Sequence, residues 1–235
     1  PAAAPTASGF VRLESVEKVA AETIDVLNVM YREEGITFVD PSFPPAPSSL
    51  YARGANDADS WRCSTCGGEN PVPAEANGER GVLDLLQRQR RGEVPHVSCG
   101  RCGREHPLLE VAMRPCDWLR PGDLRDDVTM QTSSVPWVVF RGDPRADDIR
   151  QGGVGNCWLV CALSVLADVA PDVLKRVVLT KDYSPAGAYQ VRLCLAGTWH
   201  TLLVDDLFPV NALSCLAYLK AARRALWAPL VEKAA

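Results

Sequence analysis

Apolar residues recur at helical spacing near the start of the chain. Val16, Val19, Ala20, Ile24, Leu27 and Met30 line up between Leu13 and Met30 with charges between them, which predicts a helix ended by Gly35. Asp40-Pro-Ser-Phe-Pro-Pro-Ala-Pro47 lacks too many backbone donors to continue a helix or enter a central strand, so a connector is expected there. From Arg53 to Arg114 large apolar residues are few outside Val82 to Leu86, and Gly, Arg and Cys take their place. That stretch reads as an insert or a small separate module. Core-like composition returns at Trp118-Leu-Arg-Pro121 and Trp137-Val-Val-Phe140. Gly152 to Gly155 predicts a tight turn, and Cys157 to Leu166 (CWLVCALSVL) a buried helix. Ala188–Leu195 and Trp199–Val204 are strand-like runs joined by Ala196-Gly197-Thr198 as a hairpin. A final helix is expected from about Ala212 to the end of the chain.

Composition narrows the class. In 235 residues, 47% apolar and 23% charged with a net charge of -4, there is room for one or two domains with a hydrophobic core. The balance suits neither a nucleic-acid-coating protein nor a disordered acidic tail. No apolar run approaches the roughly 20 residues that span a bilayer. Pro1 to Gly9 lacks the charged start and leucine-rich core of a secretion signal. The chain opens on Pro and stops at Leu230-Val-Glu-Lys-Ala-Ala235, inside a predicted helix, so a piece of a longer protein is expected. Nine cysteines, an odd number, argue against a fully paired secreted framework and for a reducing, cytoplasmic setting.

Four of those cysteines fall in two tight pairs, Cys63-Ser-Thr-Cys66 and Cys99-Gly-Arg-Cys102. Two such pairs supply four thiolates in a tetrahedron, which suits a structural zinc ion, and Gly67, Gly68, Gly100 and Gly103 allow the tight turns beside it. Unligated thiols are the alternative, and His96, His106 and Cys116 are possible substitute ligands. The pairs are 32 residues apart, and Glu79 to Arg91 reads as a helix filling the gap. Trp61-Arg-Cys63-Ser-Thr-Cys66-Gly-Gly-Glu-Asn70-Pro71 resembles the opening of Ran-binding-protein-2-type zinc fingers, in which the second pair follows sooner. That resemblance implies ubiquitin or single-stranded RNA as partners, and Arg88-Gln-Arg-Arg91 is compatible with RNA, although such a run also suits a solvated helix face.

Gln151-Gly-Gly-Val-Gly-Asn-Cys157-Trp158 carries the strongest chemical signal. A thiolate is the nucleophile, and a helix N-terminus favours the charge because free N–H groups point at it. Gln151, six residues earlier, is placed to join the Cys157 N–H in stabilising an oxyanion. The alternative makes Cys157 a small buried helix residue, the fate expected of Cys161.

Asp148-Ile-Arg-Gln151-Gly-Gly-Val-Gly-Asn-Cys157-Trp-Leu resembles the nucleophile segment of calpains, papain-like intracellular cysteine proteases. Phe38-Val-Asp-Pro-Ser-Phe-Pro-Pro45, Ser49-Leu50-Tyr51 and Trp118-Leu-Arg-Pro121 are similar to the calpain lead-in. Gly187 to Cys194, Gly197-Thr-Trp199, Val204 to Pro209 and Leu226 to Lys233 follow the order of its first catalytic lobe. Tyr189-Gln-Val-Arg-Leu-Cys194 is closest to the small-optic-lobes branch, which also carries zinc fingers. The resemblance implies Cys157 as nucleophile, Gln151 as oxyanion donor, and a His base with an orienting Asn in a second lobe. None of His96, His106 and His200 matches that base. It also implies a calcium ion held by Asp148 and by the Arg141 and Asp143 carbonyls, although Ala225 stands where the family often has a Glu.

The expected fold is therefore α+β and mainly helical. Residues 1–52 form a lead-in, 53–115 a zinc-binding insert outside the lobe, and 116–235 a papain-like first lobe with a β-hairpin. The expected activity is limited proteolysis of protein substrates by a calcium-dependent cysteine endopeptidase, with the 235-residue chain inactive by itself. The alternatives are a non-catalytic scaffold that binds ubiquitin, RNA or protein through the insert, and a redox switch at Cys157 or a cysteine pair.

Overall fold

A computed structural model describes residues 8–50, 60–126, 129–153 and 155–235. Tyr51, residues 53–59 of the expected insert and Val154 of the predicted turn lie outside them. The predicted first helix is present and longer than its periodicity suggested: α1 runs from Ser8 to Glu34. Gly35, at φ +66°, supplies the left-handed residue that ends it. Only part of the predicted stripe is buried. Ala20 and Ile24 are covered while Val19 and Met30 are at least half exposed. Ile24, Leu27 and Tyr31 pack with Phe38, Ala186, Ala188 and Leu203.

The proline-rich connector leads into a short helix, α2 (Pro47–Leu50). Buried charge fixes it to the rest of the chain. Asp40 N donates to Asp205 Oδ2 (2.6 Å), and Arg120 donates to the Phe38 carbonyl (2.7 Å) while pairing with Asp206. Lys233 Nζ reaches Asp205 Oδ1 (2.5 Å) and the Leu207 carbonyl (2.6 Å).

Two small hairpins and two helices follow: β1 (Ser60–Arg62) with β2 (Glu69–Pro71), α3 (Gly78–Arg90), β3 (His96–Ser98) with β4 (Glu105–Pro107), and α4 (Leu108–Ala112). Instead of standing apart as an outside module, this stretch shares a core with the lobe. Ala76, Val82 and Leu85 pack with Leu108, Ala112, Leu213 and Cys215. Arg125 bonds Glu79 (2.7 Å), and the Cys116 N–H donates to the Val210 carbonyl (2.8 Å). The apolar side of α3 needs a partner, and one short helix covers too little of it.

In the lobe, β5 (Asp117–Leu119) pairs with the later β9 (Phe208–Val210), matching Trp118 to Pro209. β6 (Ile149–Arg150) precedes α5 (Cys157–Val169) and α6 (Pro171–Val177). The predicted hairpin forms as β7 (Ala188–Leu195) and β8 (Thr198–Asp205), closed by Ala196 and Gly197 at positive φ. Its base enters the main core with Leu174, Leu226, Trp227 and Leu230.

Three expectations are corrected. The final helix is confined to α7 (Trp227–Ala234). Residues 211–226 run as turns with a short strand β10 (Lys220–Ala221) paired to β6. The Asn211 side chain takes the Leu213 and Cys215 N–H groups (2.9 and 3.3 Å), and Ser214 and Arg224 sit at positive φ, so no helical ladder forms. Helix α5 is not buried all round. Leu159, Leu163 and Ala167 face the core, while Trp158, Cys161, Val165 and Val169 are exposed, so Cys161 is not the buried residue expected. Finally, helices share the described residues with five two-stranded antiparallel sheets, which makes the fold mixed α/β rather than mainly helical.

Candidate active site and metal centre

The loop before α5 is held by close packing. At Gly152 an added Cβ would lie 1.8 Å from the Tyr218 carbonyl oxygen, so only glycine fits. The Gly153 N–H donates to the Ala217 carbonyl (2.8 Å). Asn156 follows as the residue that begins α5, and its Nδ2 donates to Glu232 Oε1 on α7 (2.5 Å). The other side of that carboxylate accepts the Leu219 N–H (2.9 Å). Burial pushes the Glu232 carboxyl up, against the lowering effect of those two donors. Asn156 is not among the site residues expected from the sequence. Its tether to α7 joins residues 76 positions apart and has no local signal.

Cys157 is the first residue of the 13-residue α5 and its side chain is exposed. Among the described residues no hydrogen bond joins its thiol to a side chain. Gln151, also exposed, opens onto a cleft with Gly152, Gly153 and Gly155. The arrangement presents an accessible thiol at the positive end of a helix, beside a loop whose free backbone faces solvent.

The four paired cysteines come together. Their Sγ atoms all lie within 4.8 Å of one another, with Cys63 to Cys102 and Cys66 to Cys99 at 3.7 Å. Four sulfurs about 2.3 Å from one ion at tetrahedral angles would be about 3.8 Å apart, so the cluster has the dimensions of a zinc site. Each pair sits in the turn of one hairpin. Gly67 N donates to the Cys63 carbonyl (2.9 Å) and Gly103 N to the Cys99 carbonyl (2.8 Å), with both glycines at positive φ. Asn70 ties the knuckles together, donating to the Gly68 carbonyl (3.0 Å) and accepting the Gly100 N–H (2.7 Å).

His106 Nε2 lies 3.2 Å from Cys63 Sγ, while His96 and Cys116 stand outside the four-sulfur set. Burial raises the Cys63 thiol, but N–H groups at Cys66 and Thr65 with His106 and Cys102 outweigh it and bring it down to about 5. At Cys102 the Arg104 N–H lowers the thiol, yet Cys66, burial, Cys63 and Cys99 together push it up to about 11.

Two of the calcium ligands implied by resemblance, Asp148 and the Arg141 carbonyl, are partnered within the chain. Asp148 is 1% exposed and its carboxylate is engaged by the chain itself. Oδ2 accepts the Arg145 N–H and the Trp227 indole N–H (both 3.0 Å), and Oδ1 lies 3.0 Å from Arg223 Nη1. The Arg141 carbonyl accepts Arg223 Nη2 (2.5 Å), and the Asp143 carboxylate is paired to Lys175. Ala225, buried, adds no oxygen. The Arg223 guanidinium stands against Asp148 and the Arg141 carbonyl, two of the oxygens that calcium would need. The basic run on α3 is also partnered, with Arg88 near Glu75, Asp84 and Glu93, and Arg91 near Glu93. Acidic side chains therefore interleave with two of the three arginines of that run.

The chain thus presents a thiol at the head of a helix, behind a glycine loop pinned to a neighbouring turn. Residues 106–235 match the model of the calpain family cysteine proteases, and this chain belongs to that family. It is 34% identical over 119 residues to the calpain-type cysteine protease ADL1 of Oryza sativa subsp. japonica, covering 50% of this chain and 5% of the relative. It is 33% identical over 126 residues to the calpain-1 catalytic subunit of Gallus gallus, covering 52% and 16%. Human calpain-14 is 33% identical over 133 residues, covering 54% and 18%. The chain therefore spans less than a fifth of each of these relatives. The family match begins at His106, inside the stretch read as the insert.

Proposed function

We propose that this chain is the nucleophile-bearing first lobe of a calpain-type cysteine endopeptidase that carries out limited proteolysis of proteins in a reducing, cytoplasmic setting. The observation that carries the reading is Cys157, exposed at the head of α5 beside a loop in which only glycine fits at position 152. Cys157 Sγ, as thiolate, attacks the peptide carbonyl carbon while Gln151 and the Cys157 N–H take the developing oxyanion. A His from a second lobe removes the thiol proton and returns it to the leaving amine, and an Asn orients that His. Water then releases the acyl group. The uncovered apolar stripe of α5, with Trp158 67% and Val169 78% exposed, supports a second lobe docking there.

The chain's own histidines do not suit the role of base. His96 and His106 lie in the hairpin beside the metal cluster, and His200 is exposed on β8 opposite Leu193. The 235-residue chain is expected to turn over no fluorogenic peptide. Residues 53–115 act as an insert, with one structural zinc on Cys63, Cys66, Cys99 and Cys102; such a closed site supplies folding energy rather than reactivity. The test is alkylation by a peptidyl chloromethyl ketone followed by mass spectrometry. Modification at Cys157 well ahead of Cys161 and Cys194, lost in Cys157→Ser, is the expected result. Equal modification of Cys157, Cys161 and Cys194 would remove the assignment.

A further inference from the structure

Between the Trp137 segment and the turn that ends at Arg224 lies a small cavity of about 20 Å³, with Arg125, Asp126 and Lys220 also in its lining. Its polar surface is dominated by N–H donors. Arg224 is 9% exposed, and its guanidinium carbon sits 4.4 Å from the centre of the Trp137 ring. Arg224 Nε and the Trp137 indole Nε1 are both buried, and neither has a hydrogen-bond partner among the described residues. Arg125 and Lys220 add two cations against the one carboxylate of Asp126. Arg125 is shared with Glu79 (2.7 Å), and Asp126 Oδ1 accepts the Thr129 N–H (2.9 Å). Burial pushes the Arg224 guanidinium below its ordinary value, with Asp126 opposing the shift and Arg141 adding to it. Arg224 is also held at φ +54°, a costly conformation for a residue other than glycine, and such strain gathers at working sites.

We propose that this cavity binds one small inorganic anion of chloride size, received by Arg224 Nε and the Trp137 indole N–H. The inference does not depend on the protease reading. A water molecule could accept both N–H groups but would leave the guanidinium charge unbalanced, whereas an anion meets both needs. The volume admits one or two water-sized bodies, which fits a monatomic anion better than a phosphate. Leu216 and Lys220 line this cavity and also the cleft that includes the Gln151–Gly153 loop. The turn between them supplies the Ala217 carbonyl that accepts the Gly153 N–H. The anion would therefore join the Trp137 segment to the support of that loop.

The experiment uses the 235-residue chain in sodium gluconate, titrated with sodium chloride at constant ionic strength. Thermal unfolding should show a saturable rise in Tm, about 3–6 °C at tenfold excess over the Kd. The chain should also broaden the chloride NMR line, and bromide should compete that broadening away. Arg224→Gln removes the charge, and Trp137→Phe removes the indole N–H while keeping a ring for the guanidinium to stack on. Each should weaken chloride binding about tenfold or more, as the loss of a charge-assisted hydrogen bond does. Trp137→Phe carries the test by itself if Arg224→Gln does not fold. Equal Tm in chloride and gluconate, broadening unchanged in Trp137→Phe, or a stronger response to phosphate than to chloride would overturn the site.

Discussion

At the scale of single residues, Cys157 and Gly152 divide chemistry from support. Cys157 is exposed and its thiol makes no side-chain hydrogen bond among the described residues. Cys157→Ser should therefore abolish peptidyl alkylation and change stability by no more than about 0.5 kcal/mol, read as an unchanged urea midpoint. Gly152→Ala should do the reverse of a silent change. A methyl group cannot sit 1.8 Å from the Tyr218 carbonyl, so the loop must move off its turn. A loss of about 1–3 kcal/mol is expected, together with slower alkylation of an unaltered Cys157. Full stability in Gly152→Ala would show that the loop is not held as described.

Among elements, the two cysteine hairpins and the loop from Arg141 to Asp148 treat charge in opposite ways. The hairpins bring four sulfurs within 4.8 Å of one another, a group that could hold a metal ion. Metal analysis should give about one zinc per chain, absent in Cys99→Ser, and chelation should unfold the module. A shared core with Leu213 and Cys215 means that chelation should also lower the Tm of the lobe. The loop instead carries its own cation. Asp148 is held by Arg223, the Trp227 indole and the Arg145 N–H. Millimolar calcium should leave the Tm unchanged, whereas Arg223→Gln should lower it by leaving a buried carboxylate without its counter-charge. A calcium-dependent rise in the Tm of the unaltered chain that disappears in Asp148→Asn would overturn this.

Over the whole molecule, the cysteine-bearing stretch shares a core with the later part of the chain, in which Leu85 of α3 packs in one cluster with Leu213. Leu213→Ala should cost about 2–5 kcal/mol and should affect both parts in a single transition. Two separate transitions by fluorescence and circular dichroism would mean that the module folds by itself. The exposed stripe on α5 belongs to this scale too, because its partner would come from beyond the described lobe.

The sequence by itself determined what depends on short-range spacing. The two cysteine pairs, the glycine loop before Cys157, the Ala196–Gly197 hairpin and the end of α1 at Gly35 are local, since each is set by residue type within a few positions. Family membership was legible for the same reason, in the order of short motifs. Tertiary structure decided what depends on distant partners. It placed Arg223 against Asp148, tied Asn156 to Glu232, left half of α5 uncovered, and broke the expected last helix by giving Asn211 and Glu232 backbone N–H groups to hold. It also packed Val82 and Leu85 with Leu213 and Cys215, and set Val94 and Met113 on the same cleft as the Gln151–Gly153 loop. Periodicity records which faces are apolar; only the folded chain decides which of them find a partner and which charges meet.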